Sequence, residues 1–294
     1  MQLFLIESTC AQINLVKNPS FEDTIKCPDP WGFVDPYVQN WKNPTGCTPD
    51  YYNSCAAVGT GCNVPNNLGY QYAKSGNGYC GIYGYAKAGM VREYIQGQLS
   101  DSLIAGEKYT VSFYASLTNV SQYSINRLGA YLSQNAITGS SCDNLPYSPQ
   151  VLNFPFRQLK DTLGWMLIEG DFIANGGEKY ITIGNFSDDT NTDTLLFNSS
   201  PWGTGKVAYY HIDEVSVMKK FNIPTLIGGD HIFEINSLPE GCMLYLYNTL
   251  GQIVYRNDNY NNDFNSINVR SGIYYYNIQL PNKEVYKGKL CIVH

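Results

Sequence analysis

Hydrophobic and polar residues alternate with a period of two along most of the chain, as expected for β-strands with one buried face. In the run 109–117 (YTVSFYASL), Tyr109, Val111 and Phe113 share one face, and polar residues lie on the other. Runs of the same kind occur at 91–95, 128–132, 165–168, 179–183 and 208–212. About eight strands at such spacing predict a jelly-roll β-sandwich over residues 13–218.

A second series of strands begins after the segment 219–229 (KKFNIPTLIGG), whose proline and glycines are typical of a linker. Alternating runs follow at 232–235, 243–247, 253–256, 266–269, 273–278 and 285–292. They predict a small immunoglobulin-like sandwich over residues 230–294. The predicted fold class is therefore all-β, with an N-terminal jelly-roll β-sandwich followed by a small immunoglobulin-like β-sandwich.

The segment 1–12 (MQLFLIESTCAQ) contains a short apolar run before the alternating pattern begins. An apolar run that ends in small residues is typical of a secretory signal peptide, so we predict a signal-peptide remnant here. An N-terminal strand is the alternative. No later stretch reaches the roughly 20 apolar residues that a membrane-spanning helix needs, and the sequence therefore predicts no transmembrane segment.

Composition and charge narrow the classes of function. The chain has 294 residues, with 25 Tyr, 27 Gly and 14 Pro, which suits a turn-rich all-β protein. The formal net charge is -6 without a run of Lys or Arg, so we predict no nucleic-acid partner. Only 3 His occur, and motifs such as G-x-S-x-G and H-E-x-x-H are missing. We therefore predict that the protein is not an enzyme.

Most of the 9 cysteines lie in the first half of the chain and form no C-x-x-C motif, which argues against a zinc ribbon or a thioredoxin-like site. Cysteines in sequence rich in Gly, Asn and Pro favour disulfides formed in an oxidising compartment. We expect the stretch 27–80 to be stapled, because it has too few apolar residues to order its loops. The pairing stays open, and buried free thiols are the alternative. The disulfide candidates are Cys27, Cys47, Cys55, Cys62, Cys80 and Cys142.

Aromatic residues in loops are the candidate ligand contacts, because the C–H face of a sugar ring stacks on Trp or Tyr. Packing of these rings over the loops is the alternative for each. A hydrolase would instead need two carboxylates at a suitable distance, and Asp35, Asp50 and Glu93 are the acids that could converge. The candidate ligand-binding residues are Trp31, Trp41, Tyr51, Tyr52 and Trp202.

The tail contains three stretches that carry a family resemblance: 244–255 (LYLYNTLGQIVY), 267–274 (INVRSGIY) and 287–293 (KGKLCIV). The tail resembles the type A-like C-terminal sorting domain of the type IX secretion system of Bacteroidetes. The resemblance implies that an outer-membrane translocon recognises this domain. It also implies a protein that is secreted or held at the outer face of the outer membrane.

The first domain has its own resemblance, carried by 14–22 (NLVKNPSFE), 103–113 (LIAGEKYTVSF) and 210–217 (YHIDEVSV). It resembles the galactose-binding-like jelly rolls, which include many carbohydrate-binding modules. The resemblance implies a structural calcium ion held by Glu22 and Asp213. The apolar phase also breaks after residue 212, which predicts a bulge that turns carboxylates inward. Simple hydrogen-bonded caps are the alternative.

Taken together, the sequence predicts a secreted or cell-surface protein that binds a ligand, most simply an extracellular glycan, and is exported by the type IX system. One alternative is a structural or adhesive surface protein that binds a cell-surface protein partner. The other is an extracellular glycan hydrolase. A groove lined by exposed aromatic side chains would favour glycan binding, whereas a flat apolar patch would favour an adhesive protein that binds a protein partner.

Overall fold

The computed structural model describes residues 13–29, 32–66, 68–87, 89, 91–196, 206–221, 223–228, 232–235, 238–281, 283 and 285–294. The chain divides into two compact units, Asn14–Met218 and Lys219–His294. Strands account for nearly all the regular structure of both units. The all-β fold class predicted from the sequence is therefore confirmed.

The strands of the first unit form two five-stranded sheets, with the orders β1-β4-β10-β7-β8 and β2-β3-β12-β5-β9, and a small β11-β6 pair. We call the first of these the groove sheet. The strands are β1 Trp41–Lys42, β2 Asp50–Asn53, β3 Gly78–Ala86, β4 Tyr94–Gln98, β5 Lys108–Leu117, β6 Tyr123–Ile125, β7 Gly129–Ser133, β8 Val151–Leu152, β9 Met166–Ile173, β10 Tyr180–Gly184, β11 Thr194–Leu196 and β12 Val207–Lys219.

The core of the first unit lies between its two large sheets. Along β5, Tyr109, Val111 and Phe113 are buried, as their alternation with polar residues predicts. They share one apolar cluster with residues of the groove sheet such as Ile95 and Ile181. Burial of one such side chain stabilises the fold by roughly 1.5–3 kcal/mol. Two antiparallel sheets around one core make this unit a jelly-roll sandwich.

The second unit contains a five-stranded sheet of order β13-β17-β16-β14-β15. All its pairs are antiparallel except β13 with β17, which is parallel. Because β13 lies inside the segment 219–229, part of the predicted linker is a strand. The strands are β13 Leu226–Gly228, β14 Cys242–Tyr247, β15 Ile253–Tyr260, β16 Gly272–Gln279 and β17 Val285–Val293.

One face of this second sheet carries the apolar core of the unit, to which Leu244, Tyr276 and Leu290 belong. Irregular segments cover the core: Phe233 and Phe264 are buried there, and the Phe233 amide donates to the Phe264 carbonyl at 3.0 Å. Within the described residues, the layer opposite the sheet therefore consists of segments held together by few backbone bonds.

The predicted strand at 266–269 is wrong, because Ser266–Asn268 forms a 3₁₀ turn. The side chain of Asn265 accepts a hydrogen bond from the Ile267 amide at 2.9 Å. An Asn side chain that bonds the backbone two residues on competes with strand pairing and favours a turn.

Candidate functional site

The loop aromatics predicted to bind a ligand are buried wherever the structure describes them. Trp41 is 3% exposed, and its indole N–H donates to the Asn18 carbonyl at 2.8 Å. Tyr51 is fully buried, and its hydroxyl donates to the Phe21 carbonyl at 2.8 Å. Tyr52 is also buried. The prediction is wrong for Tyr51 and Tyr52, whose rings lie inside the fold with no free face for a sugar. Trp41 packs against the core but is also among the residues that line the cavity of about 290 Å³ described below, so its role in binding stays a prediction. Trp31 and Trp202 lie outside the described residues.

Two disulfides involve the predicted cysteines. Cys27 is bonded to Cys55, and Cys47 is bonded to Cys142. The second bond joins the turn before β2 to the connection 134–150, which links β7 to β8.

The expectation of a disulfide is wrong for Cys62 and Cys80, which are free thiols. Cys80 points into the core between the sheets, where it is fully buried. The thiol of Cys62 instead donates to the Asp29 carbonyl at 2.8 Å and accepts from the Gly32 amide. Their different surroundings explain why they do not pair.

The two predicted calcium ligands contact the same segment, 74–78, which leads into β3. Glu22 accepts hydrogen bonds from the amides of Asn77 and Gly78, at 2.7 and 2.8 Å. Asp213 accepts from the amides of Lys74 and Ser75, at 2.7 and 3.2 Å. β12 changes phase beside Asp213, since Glu214 adopts a φ of 52°. The two carboxylates therefore clamp one loop from both sides.

This clamp has the wrong kind of partner for a calcium ion. A calcium ion binds about six to eight oxygen atoms. The loop instead turns backbone N–H groups, which are hydrogen-bond donors, toward Glu22 and Asp213. No group of three or more His, Cys, Asp or Glu that could hold a metal occurs among the described residues. The arrangement fits hydrogen-bonded caps, and calcium binding stays a prediction from the family resemblance.

Asp50, in β2, and Glu93, the residue before β4, form a group of buried carboxylates with neighbouring tyrosines. The Tyr209 hydroxyl donates to Asp50 at 2.5 Å, and the Tyr52 hydroxyl lies 2.9 Å from that of Tyr209. Glu93 accepts from the amides of Tyr83 and Thr48, at 3.0 and 3.2 Å. We call these residues the acid cluster.

No cationic side chain among the described residues forms an ion pair with the carboxylates of the acid cluster. Burial raises the pKa of Asp50 to about 6 and that of Glu93 to about 7, and the charge of Asp50 adds to the second shift. The neighbouring His211 is neutral, because complete burial lowers its pKa to about 3. Glu93 is only 2% exposed. Asp35 is exposed and bonds Asn43 instead. These acids therefore do not form the accessible pair that a glycoside hydrolase needs.

A row of mostly polar side chains crosses the outer face of the groove sheet. Backbone pairing places Lys42 opposite Gln96. It also places Thr182 between Gln96 and Tyr131. Directly opposite residues of antiparallel strands point to the same face. These four side chains therefore form one row, which we call the groove row.

An aromatic platform stands at one end of the groove row. The rings of Tyr131 and Tyr147 are stacked, with centroids 4.7 Å apart and planes 14° apart. Tyr147 belongs to the connection 134–150, which is anchored on the sheet by Leu145, whose amide donates to the Tyr94 hydroxyl at 3.0 Å. Tyr147 remains 38% exposed. A cavity of about 470 Å³ adjoins the platform and is also lined by Gln134 and Thr138.

The other end of the groove row is polar and basic. Gln98 and Tyr180 lie opposite each other in the adjacent row of the same face. The Lys17 ammonium donates to Gln98 Oε1 at 3.2 Å. A cavity of about 290 Å³ lies here, lined by Lys42, Gln96, Gln98 and Tyr180.

Gln96 forms the floor of the groove row and has an unmatched acceptor. Its side chain is 1% exposed, and Nε2 donates to the Thr182 hydroxyl at 3.0 Å. Its Oε1 atom accepts no hydrogen bond from the part of the chain that the structure describes. A buried acceptor without a partner costs roughly 1–3 kcal/mol, so the position favours a ligand group that donates a hydrogen bond.

No sequence motif marks Gln96, Thr182 or Tyr131 as residues of a binding site. Gln96, Thr182 and Tyr131 lie far apart in the chain, and only strand register brings them together. The available signal was the outward phase of the runs 128–132 and 179–183, whose polar and tyrosine positions alternate with the core positions.

Comparison with family models gives one match: residues 219–292 match the CHU_C Type IX secretion signal domain. A comparison with curated proteins finds no match. Among the described residues, no helix has the length and apolar character needed to span a bilayer.

Three similar solved structures each share little sequence with the chain. A cyclase from Fischerella sp. TAU has 13% identity and a TM-score of 0.40, with coverage of 71% of this chain and 98% of the other. The CBM22 xylan-binding domain from Paenibacillus barcinonensis has 15% identity and a TM-score of 0.37, with coverage of 71% and 97%. A cleaved adhesin domain of Lys-gingipain from Porphyromonas gingivalis has 16% identity and a TM-score of 0.33, with coverage of 71% and 99%.

The match to the secretion signal model agrees with the three tail stretches that carry the predicted resemblance. It includes all five strands of the sheet of the second unit, from Leu226 at the start of β13 to residue 292, one residue before the end of β17. Residues 219–292 are a type IX secretion signal domain, and the protein that carries them is a secreted or cell-surface protein.

Proposed function

We propose that the first unit is a non-catalytic binding module that holds an extracellular glycan in the groove of the groove sheet. The observation that carries this proposal is the buried Gln96, whose unmatched acceptor lies in the same row as the stacked Tyr131–Tyr147 platform. A sugar satisfies both features, because its C–H face stacks on an aromatic ring while its hydroxyls donate hydrogen bonds.

The polarity of the groove favours a glycan over a protein partner. Gln96, Gln98 and Lys42 line one cavity, and Gln134 and Thr138 line the other. A protein-binding patch would instead be expected to have an apolar centre. Glu178, the one carboxylate among the described residues that line the two cavities, is engaged by the amides of Asn175 and Gly176. This supports binding rather than hydrolysis.

The test is a glycan-array screen of the full chain with its disulfides intact, followed by titration of the best oligosaccharide. Tyr147→Ala should weaken binding about tenfold, because a lost stacking contact is worth about 1.5 kcal/mol. Tyr70→Ala is the matched control, since Tyr70 is 82% exposed and lies outside the groove. It should bind like the unchanged protein.

Gln96→Leu should also weaken binding while it leaves the fold intact, because Leu removes the unmatched acceptor and fills a similar volume. Each titration is run with calcium and with a chelator, which also tests the calcium prediction for Glu22 and Asp213. A silent array in both conditions, or full binding by Tyr147→Ala, would rule out the proposed glycan site. A protein ligand at the cell surface would then be the remaining candidate.

A further inference from the structure

The secretion signal domain presents an open face that its core does not use. The side chains that alternate with the core residues of β14, β16 and β17 point to this second face of the sheet. Backbone pairing places Tyr247 opposite Tyr275, and Tyr275 opposite Lys289. In the next row of the same face, Asn277 lies opposite Lys287. We call these five residues the open face.

The centre of the open face is apolar and exposed. Tyr275 is 49% exposed, and its neighbours on the same face, Ile253 and Ile273, are 53% and 41% exposed. The pairing supports this placement, because Ile253 lies opposite Tyr247, and Ile273 is two residues from Tyr275 along β16. Exposed apolar side chains that adjoin one another in this way mark interaction surfaces more often than single exposed residues do.

The rim of the open face is positively charged. The open face surrounds a cavity of about 550 Å³. Lys287 and Lys289 line it, and neither forms an ion pair with a described residue. The nearby Arg256 is already matched, since it bonds Asp258 through two nitrogens at 2.8 and 3.0 Å. The open face therefore has two cationic groups that no carboxylate of the described chain offsets.

We propose that the open face is the surface by which the secretion signal domain docks on an acidic protein of the type IX machinery. An apolar centre with tyrosines supplies affinity at protein interfaces, and a charged rim steers a partner of opposite charge. A glycan is the less suitable occupant, because Asn277 is the one uncharged amide side chain lining the cavity, and two exposed isoleucines adjoin it.

The test follows export of the full chain in a Bacteroidetes host with a working type IX system. The variant Lys287→Glu/Lys289→Glu should lower the fraction found outside the outer membrane at least about tenfold. The control Lys160→Glu/Lys179→Glu makes the same change of net charge at two exposed lysines of the first unit. It should be exported like the unchanged protein, and so should Lys287→Arg/Lys289→Arg.

Folding of each purified variant is checked by its thermal unfolding. Because both lysines are exposed and neither pairs with a carboxylate of the described residues, the unfolding midpoint of the signal domain should change little. Should the Glu variant unfold, Lys287→Gln/Lys289→Gln and Tyr275→Ser decide the matter. Full export of a folded Glu or Gln variant would overturn the proposal. Full export with loss of cell-surface attachment would also overturn it, and would assign the open face to an anionic glycan of the outer membrane. The export experiment tests the second unit only, so none of its outcomes bears on glycan binding by the first unit.

Discussion

Gly81 shows how a single residue makes room for the acid cluster. A Cβ atom at this position would lie 2.2 Å from the hydroxyl oxygen of Tyr209, far inside contact distance. Gly81 lies opposite both Asp50 and His211 in the sheet. The absence of a side chain there allows the Tyr209 ring to cross β3 and reach Asp50.

We expect Gly81→Ala to destabilise the first unit by roughly 2–4 kcal/mol, because overpacking here displaces Tyr209 from a buried carboxylate. Gly139→Ala is the matched control, since its nearest neighbour atom would be 3.6 Å from the new Cβ. Calorimetric unfolding of both variants measures the difference. Equal midpoints for the two variants would contradict this account of Tyr209.

At the same scale, the individual site residues were the least predictable part of the molecule. Trp41 sits in a Pro- and Asn-rich segment that favours an exposed loop, but its indole bonds Asn18 at a distance of 23 positions in the chain. Such contacts follow from how loops fold back on the sheets, which local sequence does not specify. Gln96 was equally hidden, because a polar residue in a strand usually faces solvent.

Among the elements, a strand with clear alternation was predicted closely, and one strand with two covered faces was missed. β5 matches its predicted run within one residue, because its core positions alternate with polar ones. β3 was not predicted, since both of its faces are covered and its burial pattern lacks alternation. The run 266–269 alternates like a strand but forms a 3₁₀ turn, because the side chain of Asn265 accepts a hydrogen bond from the Ile267 amide.

The connection 134–150 is the element that shapes the groove, and the Cys47–Cys142 disulfide holds it in place. It supplies Tyr147 and the wall of the larger cavity. Its backbone also bonds the loop around Cys47, since the Gly139 amide donates to the Pro44 carbonyl at 2.7 Å. The groove therefore depends on a contact between segments that lie far apart in the chain.

Removal of this disulfide should weaken glycan binding more than removal of the other. Cys47→Ser/Cys142→Ser releases the groove wall, and we expect its affinity for the best oligosaccharide to fall at least about tenfold. Cys27→Ser/Cys55→Ser is the control, because that bond ties loops away from the groove. Both variants lose stability, roughly 5 kcal/mol for the longer loop and 4 for the shorter in the chain-entropy model. Equal binding losses at a temperature where both variants are folded would refute this role of 134–150.

For the molecule as a whole, buried carboxyl groups make stability depend on pH. Burial raises the pKa of Asp50 to about 6, of Glu93 to about 7 and of Asp213 to about 8. In the unfolded chain these groups titrate near pH 4. The folded state thus binds more protons than the unfolded state between about pH 4 and 8. Their stabilising contribution is complete below about pH 4 and is lost as the pH rises through these folded values.

We expect the unfolding midpoint of the first unit to fall steadily from pH 5 to pH 8.5. Asp50→Asn should flatten this slope, because an amide stays neutral and the Tyr52 and Tyr209 hydroxyls can turn to bond it. Asp188, whose pKa is lowered by hydrogen bonds, titrates below this window and does not oppose the trend. Scanning calorimetry across the pH range is the measurement. A midpoint that rises with pH, or an unchanged slope in Asp50→Asn, would contradict the assignment.

The position of β17 in the second sheet makes the fold of the signal domain depend on synthesis of its last strand. β17 lies between β13 and β16, yet it follows both of them in the chain. A chain that stops after β16 but before Val285 lacks the strand that pairs with both β13 and β16, so β13 has no partner and β16 keeps an open edge. The five-stranded sheet can therefore form only after β17 has been synthesised. A truncated chain lacks the complete secretion signal domain.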